Sequence, residues 1–283
     1  MKKFIRGILI SSLVVFLVGV GFVVAGIVMG VSSGDLKNLI ENYVPGDVIE
    51  REIHVVSPDD ETVTSDGEVR RVEFASSDVS ELEMDLLSMD CRMYVSDTDK
   101  IIVETSVSEK LLEIKNDKGE LNIDCISKFG KNSGSSLVIY LPKDMYLNEF
   151  DLSVSGRMKI ECPINASKVH LEVGGADFTS ESSVLADDFE LEVGAGKAEF
   201  MYVDAKNISI ENGAGKTSMG LTGQKEQYNV KMEIAAGNVS YGSESYSSLA
   251  QTFTNRPKDA TKNIEIECAA GEVTVTFEKG MDV

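Results

Sequence analysis

Residues 169–200 read VHLEVGGADFTSESSVLADDFELEVGAGKAEF. One short pattern occurs twice within them: an alternating run, a Gly/Ala turn, then a second alternating run. The unit extends in both directions, as DLSVSGRMKI from Asp151, HLEVGGADF from His170, ELEVGAGKAEF from Glu190, SIENGAGKTSM from Ser209, KMEIAAGNVSY from Lys231 and IECAAGEVTVTF from Ile266. The copies recur roughly every 20 residues, a period that belongs to stacked repeat architectures.

The apolar positions step by two. Ahead of the turns they are Val169, Leu171 and Val173; Phe189, Leu191 and Val193; Val230, Met232 and Ile234; Ile264, Ile266 and Cys268. Behind the turns stand Ala176 and Phe178; Ala198 and Phe200; Val239 and Tyr241; Val273, Val275 and Phe277. Each strand therefore has one apolar face and one wetted face, the latter carrying Glu172, Glu190, Glu192, Lys231, Glu265 and Glu267. One such unit cannot bury its apolar face alone, whereas stacked units share a continuous interior. The expected fold is all-β, a β-solenoid of stacked coils. Gly156, Gly174, Gly196, Gly215, Gly237 and Gly271 fall at the bends, where the chain needs positive φ or close backbone approach.

Outward from this array the pattern loosens. Period-two segments continue through residues 72–150, which read as irregular coils leading into the regular repeats of 151–277. Within them Leu87, Met89, Cys91, Met93 and Val95 alternate, Lys115–Glu120 reads as a hairpin turn, Lys128–Ser136 as a loop, and Ser136–Lys143 as a strand ending at Pro142. Residues 242–263, with Arg256-Pro257, read as an inserted loop. The whole ectodomain is set at 72–280.

Ahead of it, residues 1–7 carry Lys2, Lys3 and Arg6, and residues 8–31 hold no charged side chain. That run has the length of a membrane-spanning helix. No small-x-small cleavage site and no lipid-accepting cysteine follows it, so a retained anchor is expected. Basic residues on its N-terminal side place residues 1–7 in the cytoplasm and the rest outside, a single-pass topology at the cell membrane. Gly26 and Gly30 have the spacing of a helix-pairing motif, which keeps a homo-oligomer open. Residues 32–71 read as an amphipathic helix, with Leu36, Leu39, Ile40 and Tyr43 on one face, followed by an acidic spacer.

The net charge of −20 excludes a nucleic-acid binder, which would carry a basic face. Cys91, Cys125, Cys162 and Cys268 lack metal-ligand spacing and lie in phase with apolar neighbours, as buried small hydrophobes do. Disulfides between them are allowed outside the cytosol. His54 sits in the acidic spacer, and His170 alternates outward without a cysteine or second histidine nearby. Gly213-Ala-Gly-Lys-Thr217 has the tail of a phosphate-binding loop, but Ile210 stands where that motif needs glycine, and Lys216–Met219 continues in strand phase. Gly174-Gly-Ala-Asp177 is not matched by aspartates at the other turns, where Lys197, Lys216 and Glu272 stand. The outward carboxylates read as scattered among Lys and Ser. The sequence thus assigns no catalytic, cofactor-binding or metal-ligating residue and no cofactor.

Leu137-Val-Ile-Tyr-Leu-Pro-Lys-Asp144, followed by Leu147–Val154, Gly156 and the glycine-spaced strands, resembles the "putative adhesin" domain of unknown function. The resemblance covers Val72 to Phe277. It implies a β-solenoid displayed at the cell envelope behind one membrane anchor, with roles in adhesion or envelope-stress sensing, and no catalytic residues. The expected function is a non-catalytic binding, adhesion or envelope-stress sensing module, with wall polymer, a cationic peptide or another envelope protein as partner. The alternatives are a rigid spacer or scaffold of the envelope and, third, a polysaccharide-processing enzyme.

Overall fold

The computed structural model describes residues 69–86, 89–125, 136–247 and 249–278. The tail at 1–7, the span at 8–31, residues 32–68 of the amphipathic helix and spacer read at 32–71, and residues 128–135 of the loop read at Lys128–Ser136 lie outside them. No helix among the described residues is long and apolar enough to cross a membrane.

The described chain is all-β. It runs through β1 (Arg70–Ala75), β2 (Glu81–Leu86), β3 (Asp90–Ser96), β4 (Lys100–Thr105), β5 (Leu112–Asp117) and β6 (Glu120–Cys125). Next come β7 (Ser136–Pro142), β8 (Leu147–Val154), β9 (Arg157–Ile160), β10 (Ile164–Val173), β11 (Asp177–Val193), β12 (Lys197–Asn212) and β13 (Lys216–Thr222). The last are β14 (Tyr228–Ile234), β15 (Asn238–Tyr241), β16 (Glu244–Ser247), β17 (Gln251–Asn255), β18 (Lys262–Cys268) and β19 (Glu272–Glu278). All 19 belong to one hydrogen-bonded sheet.

That sheet is folded so that its two flanks share an interior. The first flank has the order β5-β6-β2-β8-β10-β11-β12-β18-β14-β17. The second has the order β1-β4-β7-β3-β9-β11-β12-β13-β19-β15-β16. The long strands β11 and β12 run through both flanks, entering on the second and leaving on the first. Pairing within the body of each flank is parallel. Antiparallel strands occur only at its ends, where β5 and β17 border the first flank and β1, β4 and β16 the second.

Parallel, in-register stacking follows from the alternation of each unit. Repeating the same inward set on adjacent strands aligns like with like: Leu152, Leu171, Leu191, Ile210, Ile266 and Met232 form one inner row, and all are buried. Opposite them, Met158, Phe178, Ala198, Thr217, Val273 and Val239 form a row on the second flank, also buried. Phe200 joins the flanks, with Phe178 at 5.0 Å and Phe189 edge-on at 5.4 Å between ring centroids. Each fully buried aliphatic side chain here contributes about 1.5–3 kcal/mol.

The glycine bends are close approaches. Gly196 sits directly over the preceding turn: a Cβ there would lie 2.8 Å from the Ala176 nitrogen and closer still to its carbonyl oxygen. The turns stack through their own backbone, Lys197 N–H donating to Ala176 O at 2.7 Å and Lys216 N–H to Gly196 O at 2.9 Å. At the buried position where neighbouring units carry Val173 and Val193, the chain has Asn212. Its Nδ2 donates to Gly215 O at 3.0 Å and its Oδ1 accepts from Thr217 Oγ1 at 3.1 Å, so it braces its own turn from inside.

Three sequence expectations are corrected. Residues 242–263, read as an inserted loop, carry β16 and β17, which cover the edges of β15 and β14. Tyr246 and Phe253 stack across that cap at 4.8 Å. The chain then returns to insert β18 and β19 inside it, so residues 262–278 precede 228–241 in space. Residues 72–150 are more regular than expected: β2–β3 and β6–β7 pair in the same parallel register as the later units. Val95 is 39% exposed rather than inward, because β3 changes phase after Met93 and buries Ser96 instead. The hairpin at Lys115–Glu120 stands as read, its turn formed by Lys118 and Gly119, both at positive φ.

Candidate acidic sheet face

The same register that aligns the core aligns the outward side chains. Along the outer surface of the first flank, one row runs Asp124, Asp85, Ser153, Glu172, Glu192, Glu211, Glu267 and Glu233. Five glutamates thus stand on five successive parallel strands, about 4.8 Å apart at the backbone. The next row runs Glu83, Asp151, His170, Glu190, Ser209, Glu265 and Lys231. A third runs Glu120, Glu81, Glu149, Lys168, Asp188, Asn207 and Asn263. The carboxylates read as scattered are collected into columns, because units about one repeat apart carry acid at the same step.

Like charges at this spacing disfavour their own ionisation. Burial, then Glu192 and Glu267, pushes the Glu211 carboxyl up to about 7. Burial and then Glu192 raise Glu172, and burial and then Glu233 raise Glu267. At the other end of the flank, burial is the main cause raising Asp124 and Glu83.

His170 is set into this face with its side chain 18% exposed. Its Nδ1 lies 3.2 Å from both oxygens of Asp151 on β8, and its Nε2 faces Glu192 Oε1 on β11 at 3.9 Å. Hydrogen bonding to Asp151, followed by the facing Glu192 carboxylate, outweighs burial and pushes the imidazole up to about 10. Sequence reading treated His170 as an isolated surface residue. The missed signal is the repeat offset: Glu190 and Glu192 follow His170 by one repeat, and Asp151 precedes it by one.

The outer surface of the second flank differs. There basic and acidic side chains are interleaved, as in Lys197–Glu199 at 2.9 Å, Lys216–Glu272 at 3.1 Å, and Lys159 between Glu161 at 2.8 Å and Glu181 at 3.0 Å. On the first flank Lys231 pairs with Glu233 and Glu265, and Lys168 with Glu149, to either side of Glu192 and Glu211. A surface groove of about 580 Å³ crosses the stacked turns, lined by Ala176, Gly196, Lys197, Gly215, Lys216 and Glu272. Its floor is backbone and its lysines are ion-paired. Thr217, in the segment resembling a phosphate-binding loop, lies within β13, a strand rather than a helix start. No disulfide joins Cys91, Cys125, Cys162 and Cys268, and burial pushes the Cys162 thiol up to about 12 and raises Cys91 as well.

The family described as Toastrack DUF4097 matches residues 79–282. No curated protein matches the chain. Similar solved structures include a "putative cell adhesion protein" from Clostridium sporogenes, 12% identical, covering 75% of this chain and 99% of that one, with a TM-score of 0.35. A "putative adhesin" from Parabacteroides merdae is 14% identical over 77% of this chain and 99% of that one, TM-score 0.37. A "putative lipid binding protein" from Parabacteroides distasonis is 16% identical over 77% and 100%, TM-score 0.37.

Proposed function

The chain belongs to the Toastrack DUF4097 family, and from that premise we propose that it is a non-catalytic binding module of the cell envelope whose acidic sheet face holds a polycationic partner. The span at 8–31 anchors it with residues 1–7 in the cytoplasm, and the stacked units form a β-solenoid displayed outside. The observation that carries the reading is the aligned row Glu172, Glu192, Glu211, Glu267 and Glu233. A fixed array of carboxylates with part of its charge suppressed gains on meeting an opposite charge, since each added cation relieves repulsion already present. A cationic peptide or a basic stretch of another envelope protein has that chemistry. The charge-balanced second flank does not, which gives the module a binding side and a neutral side. Occupancy of the face is the input an adhesive or stress-sensing role requires.

The test titrates the full-length chain, purified in detergent, with an oligolysine peptide at low and high salt. Binding is expected to weaken steeply as salt rises. It is expected to fall again in the triple variant Glu192→Gln/Glu211→Gln/Glu267→Gln, and to be unchanged in Glu199→Gln on the other flank. Salt-indifferent binding, or equal loss in the two variants, overturns the reading. A spacer role would instead leave envelope function intact in the triple variant.

A further inference from the structure

The acidic face contains one place where a histidine and carboxylates converge on a common point. His170, Glu190 and Glu192 each offer a ligand atom, and these atoms lie within 4.8 Å of one another. We propose that His170 Nε2, Glu190 and Glu192 bind one zinc ion, with Asp151 orienting the imidazole from its other nitrogen.

The geometry fits that ion. A tetrahedral zinc holds nitrogen and carboxylate oxygen at about 2.0–2.2 Å, which sets neighbouring ligand atoms roughly 3.3 Å apart. The Nε2 to Glu192 separation of 3.9 Å is wider than a hydrogen bond and leaves room for a metal between the two groups. The remaining closure falls to glutamate side chains, whose torsions are soft. Nδ1 is already engaged by Asp151 at 3.2 Å, so the nitrogen turned toward Glu192 is Nε2, and zinc takes the place of its proton, which is released to solvent on binding. A carboxylate on the far ring nitrogen is the arrangement that fixes tautomer and ring orientation in histidine–zinc sites. All four residues stand on the adjacent strands β8, β10 and β11, not on a loop, and are placed by a packed core. The ligand set leaves a fourth position for water or a partner's side chain. It includes an imidazole, which favours zinc over calcium, whose sites take six to eight oxygens. His170 is the only histidine among the described residues.

The full-length chain in detergent is titrated with zinc chloride by calorimetry, and with cobalt(II) by visible absorption. One saturable site per chain is expected, with the intense visible cobalt bands of a four-coordinate site. His170→Gln should lose the bands and at least about 10-fold in affinity, and Asp151→Asn should lose about 10-fold. Glu233→Gln removes a carboxylate from the same face, three strands from Glu192, and should leave the site unchanged. Should His170→Gln melt below the wild type, Glu190→Gln replaces it as the ligand variant. Equal losses in Glu233→Gln and His170→Gln mean diffuse counter-ion attraction and overturn the proposal, as does the lack of saturation. Failure here leaves the oligolysine result untouched, since that binding draws on the whole face.

Discussion

At the residue scale, one step along a strand separates interior from surface. Val184 is buried and the next residue, Leu185, is 45% exposed, while Leu191 further along the same strand is wholly buried. Leu191→Asp is expected to cost roughly 3 kcal/mol or more, because it leaves an unpaired charge in the shared core. Leu185→Asp is expected to stay within about 0.5 kcal/mol of wild type. Chemical denaturation of both variants checks this. The Glu211 carboxyl, held up to about 7 by burial and by Glu192 and Glu267, gives a pH signature. Its folded value lies above its unfolded one, so its contribution is fully present below the ordinary carboxylate range and is lost as pH rises through about 7. Glu211→Gln is therefore expected to melt with the wild type near about pH 4 and above it near about pH 8. A gain of equal size at both values would show that the ionisation of Glu211 is not its cause. Most of the inward set was legible in sequence, since alternation alone marks Leu191, Ile234 and Ile266, while the phase change that exposes Val95 and buries Ser96 was not. The partners of His170 emerge only when whole repeats are aligned with one another, because alternation within one strand does not say what lies beside β10.

At the scale of elements, the turns and the end strands carry the specificity. A Cβ at Gly196 meets the backbone of the turn below it, while a Cβ at Gly175 meets nothing within 4 Å. Gly196→Ala is expected to destabilise by about 1–3 kcal/mol through overpacking. Gly175→Ala should be neutral or slightly stabilising, which a pair of thermal melts decides. The cap made by β16 and β17 closes two strand edges that would otherwise be open to pairing. Replacing residues 244–255 with a Gly/Ser linker of equal length is expected to convert the chain to larger species in light scattering, with its β-content retained. Sequence reading took this segment for a loop because its strands are short and polar, a composition that blunts an edge as readily as it makes a loop. Nor could alternation show that β18 lies between β12 and β14. Period two records which way a side chain points, not its neighbour across the ladder.

At the scale of the whole molecule, in-register stacking has two consequences with one cause. It collects apolar side chains into continuous inner rows, and on the first flank it collects carboxylates into outer rows. The flanks differ because their outward steps carry different residues: Glu172, Glu192, Glu211, Glu267 and Glu233 on one, a mixture of basic and acidic side chains (Arg157, Asp177, Lys197, Lys216 and Glu272) on the other. Aligning Glu172, Glu192 and Glu211 by repeat would have exposed the first half of the row. Glu267 and Glu233 enter it in reversed chain order, which no repeat count supplies. The most direct test is a distance across that row. Spin labels at Glu172→Cys and Glu267→Cys, in a Cys125→Ser background, sit on strands three steps apart in the ladder. Dipolar EPR is expected to give a separation centred near about 14 Å, three strand spacings. A separation beyond about 25 Å would contradict the stacking from which the core and the acidic face are both derived.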